Sequence, residues 1–283
     1  MSYLHFSCKG LDEMKQKVFR NILNCESAVS EIIGAIMLLA IAVGMIALIQ
    51  TQSVPEWNKA IEFEHSNKVY DDFLKLKSNI EETALYQFPR SSVIHMGAHY
   101  PNRLIFINPA DVSGTITSDR NAWINISYYN SNGTRGNISN LSSSITFRPN
   151  YNYLMNSPTL IYENGLVIKD FGINNFTDNI QPFFMKNAIN IIIFDYPSDS
   201  ESSSTLKVIN PYPQYKNTTT NNTNISVNFS SSYPELWNAS LRHDGFNSTI
   251  SGKFINFTYP TGNITINIYG VNVSQVSGIG APK

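Results

Sequence analysis

At 283 residues the chain has room for one large domain or two small ones with a substantial core. Its formal net charge is −1, only 14% of residues are charged, and no basic face or block occurs, which excludes nucleic acid as a partner class. Its two cysteines, Cys8 and Cys25, both precede the main apolar run, so no disulfide holds the rest together.

In chain order, the first stretch is mostly polar and carries Lys15, Lys17 and Arg20. The run Ile32 to Ile49 follows without a charge, and at 1.5 Å per residue it spans about 27 Å, close to the hydrocarbon thickness of a bilayer. A secretory signal peptide would lie nearer the start and end in a small-residue cleavage site; this run does neither. A lipidated cysteine follows its hydrophobic segment, whereas Cys25 precedes this one. The next cation after the run is Lys59, so the positive-inside rule places the N-terminus in the cytoplasm and the C-terminal part outside a cell membrane crossed once. Small residues recur four apart at Ser30 and Gly34 and again at Ala40 and Gly44, spacing that lets helix backbones approach in lipid. Glu31 at the entrance is a functional candidate, because a carboxylate at the membrane edge is costly without water or a cation.

The segment CESAVSEIIGAIMLLAIAVGMIALIQTQ, residues 25 to 52, resembles the start of archaeal type IV pilin-like proteins, archaellins included, which carry a class III signal peptide. The likeness covers residues 12 to 55. It implies that residues 1–27 are a cytoplasmic leader removed by a prepilin peptidase. Glu26 would be the charged residue, Ser27 the small residue before the cut, and Ala28-Val29 the apolar pair after it. Residues 28–52 would stay as a transmembrane helix and later pack with other pilin-like subunits in a filament core, with Glu31, Gly34, Ala40 and Gly44 as the assembly residues. In bacterial relatives a glutamate at the fifth mature position pairs with a neighbour's new amino group; here Glu31 would be the fourth.

SVPE (Ser53 to Glu56) reads as a helix start, with Ser53 able to cap, Glu56 able to reach back and Pro55 in the first turn. Trp57, Ile61, Val69, Phe73, Leu76, Ile80 and Ala84 repeat at helical spacing and give an amphipathic helix over residues 53–88, stopping before Phe88-Pro89.

Residues 89–283 read as an extracellular β-rich domain. RLIFIN (103 to 108), AWINISYY (122 to 129), SITFR (144 to 148), INIIIF (189 to 194), KFINFTY (253 to 259) and NITINIY (263 to 269) have strand composition, and NPAD, NSNG and YPTG punctuate them as turns. SYPELWNASLRHDG (232 to 245) reads as one short helix, and the serine- and asparagine-rich 198 to 232 as a long exposed loop. The expected class is α+β overall: a long N-terminal helix, then a β sandwich of about ten strands.

Fourteen Asn-x-Ser/Thr sequons begin at Asn125, Asn132, Asn137, Asn140, Asn175, Asn217, Asn221, Asn224, Asn228, Asn238, Asn247, Asn256, Asn263 and Asn272. Random placement would give about five or six, and all fourteen lie beyond the membrane run, as targets of an oligosaccharyltransferase outside the cell must. His95 and His99 in HMGAH form a possible metal pair with no third ligand in view, and the default is loop histidines. Asp195, Asp199 and Glu201 could supply oxygens for calcium but lack the spacing of a recognised loop. No nucleophile elbow or phosphate loop is present, and no cofactor is implied. Three readings stand: a pilin-like filament subunit for adhesion or surface interaction, without enzymatic activity; an uncleaved single-pass surface glycoprotein with a binding or envelope role; and a membrane-anchored enzyme.

Overall fold

The computed structural model describes residues 30–178, 181–259 and 262–276. The chain divides into two compact units, residues 1–56 with 105–107, and residues 57–104 with 108–283. The leader and the cleavage residues Glu26, Ser27, Ala28 and Val29 lie outside the described residues.

In the first unit, residues 30–48 form helix α1, and Ile49–Ser53 continue it as a single π turn. The cause is Pro55: within a helix its ring clashes with the carbonyl four residues back and its nitrogen offers no donor. Widening the preceding turn relieves that clash. The hydroxyl of Thr51 donates back to the carbonyl of Ala47 at 2.9 Å. Ser53 is therefore not a cap; the chain is already helical when it reaches SVPE, and the expected fresh start does not occur.

Helix α2, Val54–Tyr86, ends where expected. Gln87 takes φ +59°, and its side-chain amide donates to the carbonyl of Ala84 at 2.6 Å, closing the last turn. Val69, Phe73, Leu76, Ile80 and Ala84 are fully buried and join the main core.

Thirteen strands follow among the described residues: β1 Ser92–His95, β2 Ser113–Tyr129, β3 Arg135–Asn150, β4 Thr159–Glu163, β5 Leu166–Asp170, β6 Asn175–Phe176, β7 Phe184–Met185, β8 Ala188–Asp195, β9 Asp199–Ser203, β10 Leu206–Ser230, β11 Ser248–Ser251, β12 Phe254–Thr258 and β13 Ile264–Val276. They pair in the order β6-β5-β4-β3-β2-β10-β13-β8-β7, with β1 and β12 also on β10, β11 on β12 and β9 on β2. Among the described strands only β13 and β8 run parallel. Helix α3, Pro234–His243, forms where SYPELWNASLRHDG was expected to, and buries Trp237 among Phe183, Phe184 and Phe229. The class is α+β: an apolar N-terminal helix and a largely β domain.

Within the β domain two expectations fail. Residues 198 to 232 are not a loop; they form β9 and the 25-residue β10, which pairs with β1, β2, β12 and β13. RLIFIN at 103 to 108 is not a strand.

Candidate functional site

The first site residues lie on α1. An eighteen-residue window of this helix has mean hydropathy 2.9 and no residue in it is buried. Its large apolar side chains are all exposed, from 39% at Ile46 to 70% at Leu38. An all-round apolar helix needs lipid or other helices around it. Glu31 is exposed at its start, and a Cβ added at Gly34 or Gly44 would meet nothing within 4 Å. At about 100° per residue, Ser30, Gly34, Ala40 and Gly44 fall within roughly a third of the helix circumference, so the two small pairs share one side.

The second set is a polar network that the sequence reading did not identify. The side of α2 facing the β domain carries buried Asn58, Glu62, His65 and Asp72 beside its apolar residues. The Glu62 carboxylate accepts the backbone N–H groups of Asn152, Tyr153 and Leu154 at 2.6–3.2 Å and the hydroxyl of Tyr100. Burial, and then the bond to Glu62, push the Tyr100 hydroxyl well above its ordinary value. His65 sits between the hydroxyl of Tyr151 at 2.8 Å and the carbonyl of His95 at 3.1 Å, and burial lowers its pKa. Asp72 accepts both the backbone N–H of His95 at 3.0 Å and its ring Nδ1 at 2.7 Å. This network fixes α2 to segments 95–100 and 151–154. The signal was available in His65, which interrupts the apolar stripe.

These bonds also account for HMGAH. His95 pairs with Asp72, while His99 pairs with Asp111 at 2.6 Å, so the two rings do not converge. Gly97 is required because a Cβ there would collide with the carbonyl oxygen of Val112 and the backbone of Ser204. The three acidic residues of DYPSDSE also go separate ways. Asp195 lies 3.6 Å from Arg120, Asp199 accepts the backbone N–H of Ser200, and Glu201 pairs with buried Lys207. Among the described residues no group of three or more His, Cys, Asp or Glu could hold a metal.

None of the fourteen sequon asparagines is buried. Asn132, Asn137, Asn175, Asn217, Asn221, Asn224, Asn247 and Asn263 are exposed, and Asn125, Asn140, Asn228, Asn238, Asn256 and Asn272 are half-buried. Three of them form a row: Asn125 on β2 faces Asn228 on β10, which faces Asn256 on β12. The Oδ1 atoms of Asn125 and Asn228 are buried without a partner.

Beside this row lies a cavity of about 790 Å³ lined by Trp123, Phe254, Glu163, Lys253 and Ser230 to Ser232. Trp123 and Phe254 meet edge to face with centroids 6.0 Å apart. Glu163, at the β4–β5 turn, is 3% exposed and its Oε1 has no partner. Burial raises its pKa, opposed by the Ser231 hydroxyl, the Ser232 N–H and Lys253.

Comparison with known proteins gives one relative to report. An uncharacterized protein of Archaeoglobus fulgidus is 28% identical over 250 residues, which is 85% of this chain and 42% of that protein. The chain thus spans less than half of the relative's length. No family model matches, and no solved structure matches.

Proposed function

We propose that the chain is a pilin-like subunit of the cell surface. It is held in the membrane by α1, cut by a prepilin peptidase between Ser27 and Ala28, and packed through α1 against other subunits in a type IV pilus-like filament. The observation that carries this reading is the contrast between its helices. The uncharged run on α1 is apolar on every side and is not buried by any of the described residues, whereas α2 is fixed to the β domain by a buried polar network. A subunit whose anchor becomes a filament core needs both: an α1 free to change neighbours and an α2 that keeps its head. The β domain, read as a sandwich joined through β10, lies outside the cell. There an oligosaccharyltransferase modifies accessible sequons and the head makes adhesive contacts; its role is binding, not catalysis.

The uncleaved surface glycoprotein is the alternative, and one measurement separates them. Mass spectrometry of the protein extracted from native membranes should find an N-terminus at Ala28. A chain that retains Cys25 and the residues before it overturns the filament reading in favour of a permanent anchor.

A further inference from the structure

The quartet Leu104, Ile105, Phe106 and Ile107 has strand composition, yet it forms no strand, and Leu104, Ile105 and Ile107 are exposed. Leu104 is 108% exposed, Ile105 67% and Ile107 79%. Three large aliphatic side chains side by side at a loop tip are an unusual surface for a water-facing domain, and such a patch marks an interaction site. Polar residues bracket it tightly: Asn102 and Arg103 before, Asn108 after.

The structure identifies its neighbour in sequence terms. Residues 105–107 belong to the same compact unit as α1. The side-chain amide of Gln50 holds the backbone of Ile107 at both ends, its Nε2 donating to the carbonyl at 2.8 Å and its Oε1 accepting the N–H at 3.0 Å. Gln50 is the first polar residue after the uncharged run. A loop fixed to that position sits where the apolar helix leaves the hydrocarbon.

The flanking residues have the chemistry of the membrane–water interface. Arg103 stacks over Trp57 at 5.2 Å and donates to Asn58 at 2.9 Å and Asn108 at 2.7 Å. Tryptophan and cations with apolar stems are enriched at headgroup level, where one end is dry and the other wet. Asn108 in turn donates to the carbonyl of Pro101 at 2.7 Å, which closes the base of the loop.

We infer that Ile105 and Ile107 form a second membrane-contacting element, a wedge seated in the outer headgroup and upper acyl region beside α1. The occupant of this surface is the lipid bilayer itself. The Gln50–Ile107 bonds couple the depth of the wedge to that of α1. This inference rests on the membrane reading of α1, so the test must report on both.

Single cysteines for an environment-sensitive fluorophore are introduced as Ile105→Cys, Met37→Cys and Asn132→Cys, each in the full chain with Cys8→Ser and Cys25→Ser. The proteins are reconstituted in phosphatidylcholine vesicles carrying nitroxides at shallow or deep acyl positions, with iodide as the aqueous quencher. The expected result is deep quenching at Met37, shallow quenching with shielding from iodide at Ile105, and iodide quenching alone at Asn132. Deep quenching at Met37 with iodide access at Ile105 overturns the wedge and leaves the anchor intact. Shielding of Ile105 from both quenchers also overturns it, by showing the loop covered by another protein copy. Absence of lipid quenching at Met37 removes the membrane reading, and the wedge with it.

Discussion

Glu62 shows how much one buried charge can decide. A carboxylate taken out of water is costly unless charge-assisted hydrogen bonds replace its hydration, and here three backbone N–H groups and a tyrosine hydroxyl do so. Glu62→Ala leaves those donors buried or exposed to a small cavity, so the head should lose about 3–5 kcal/mol. Urea unfolding of the detergent-solubilised chain should show a lower midpoint at an unchanged slope; a midpoint within error of the parent would show that the network adds nothing. His65 carries a pH dependence of defined sign. Its folded pKa lies below 6.5, so below about pH 6.5 the unfolded chain binds a proton that the folded chain refuses. Stability should therefore fall as pH drops from 6.5 toward the lowered value, and His65→Gln should flatten that part of a melting-temperature profile. An unchanged acid slope in the variant would move the effect to another group.

At the scale of elements, β10 and the 103–108 loop show what composition hides. Asn, Thr and paired prolines give β10 the texture of a loop, yet it has four strand partners, and register shifts between Pro213 and Tyr215 and between Thr219 and Asn222 absorb its irregular stretches. Pairing is a property of neighbours distant in sequence, so no local pattern announced it. RLIFIN misleads in the opposite direction: it has β composition and forms no strand. The apolar stripe of α2 and helix α3 were legible because helical periodicity is local, whereas Asn58, Glu62 and Asp72 were not, because their partners lie on distant segments. The row Asn125, Asn228 and Asn256 makes a prediction that single sequons cannot. Directly opposed side chains on paired strands stand only about 4.5–5.5 Å apart at Cβ, too close for adjacent glycans. Modification at Asn228 should exclude modification at Asn125 and Asn256 on the same molecule. Top-down mass spectrometry of the native protein checks this, and a species carrying sugar at Asn228 and either neighbour would refute it.

For the whole molecule, the question is whether α1 is an anchor only or also a packing surface, and two glycines separate these roles. A Cβ added at Gly34 or Gly44 meets nothing within 4 Å among the described residues, so enlarging them should leave the fold of a single subunit unchanged. Replacing both with leucine also makes α1 more apolar, which favours membrane insertion. Any harm must come from outside the chain, where helices packed in lipid approach closely only over small residues. The double variant Gly34→Leu, Gly44→Leu should therefore reach the membrane at parental levels and fail to appear in filaments sheared from the cell surface. Gly44→Ala, which adds one methyl group, should retain most assembly. If the leucine variant assembled as well as the parent, this face of α1 would not be the seam between subunits. Equal membrane amounts with filaments lost only in the leucine variant would show that the helix first serves as an anchor and then as a core.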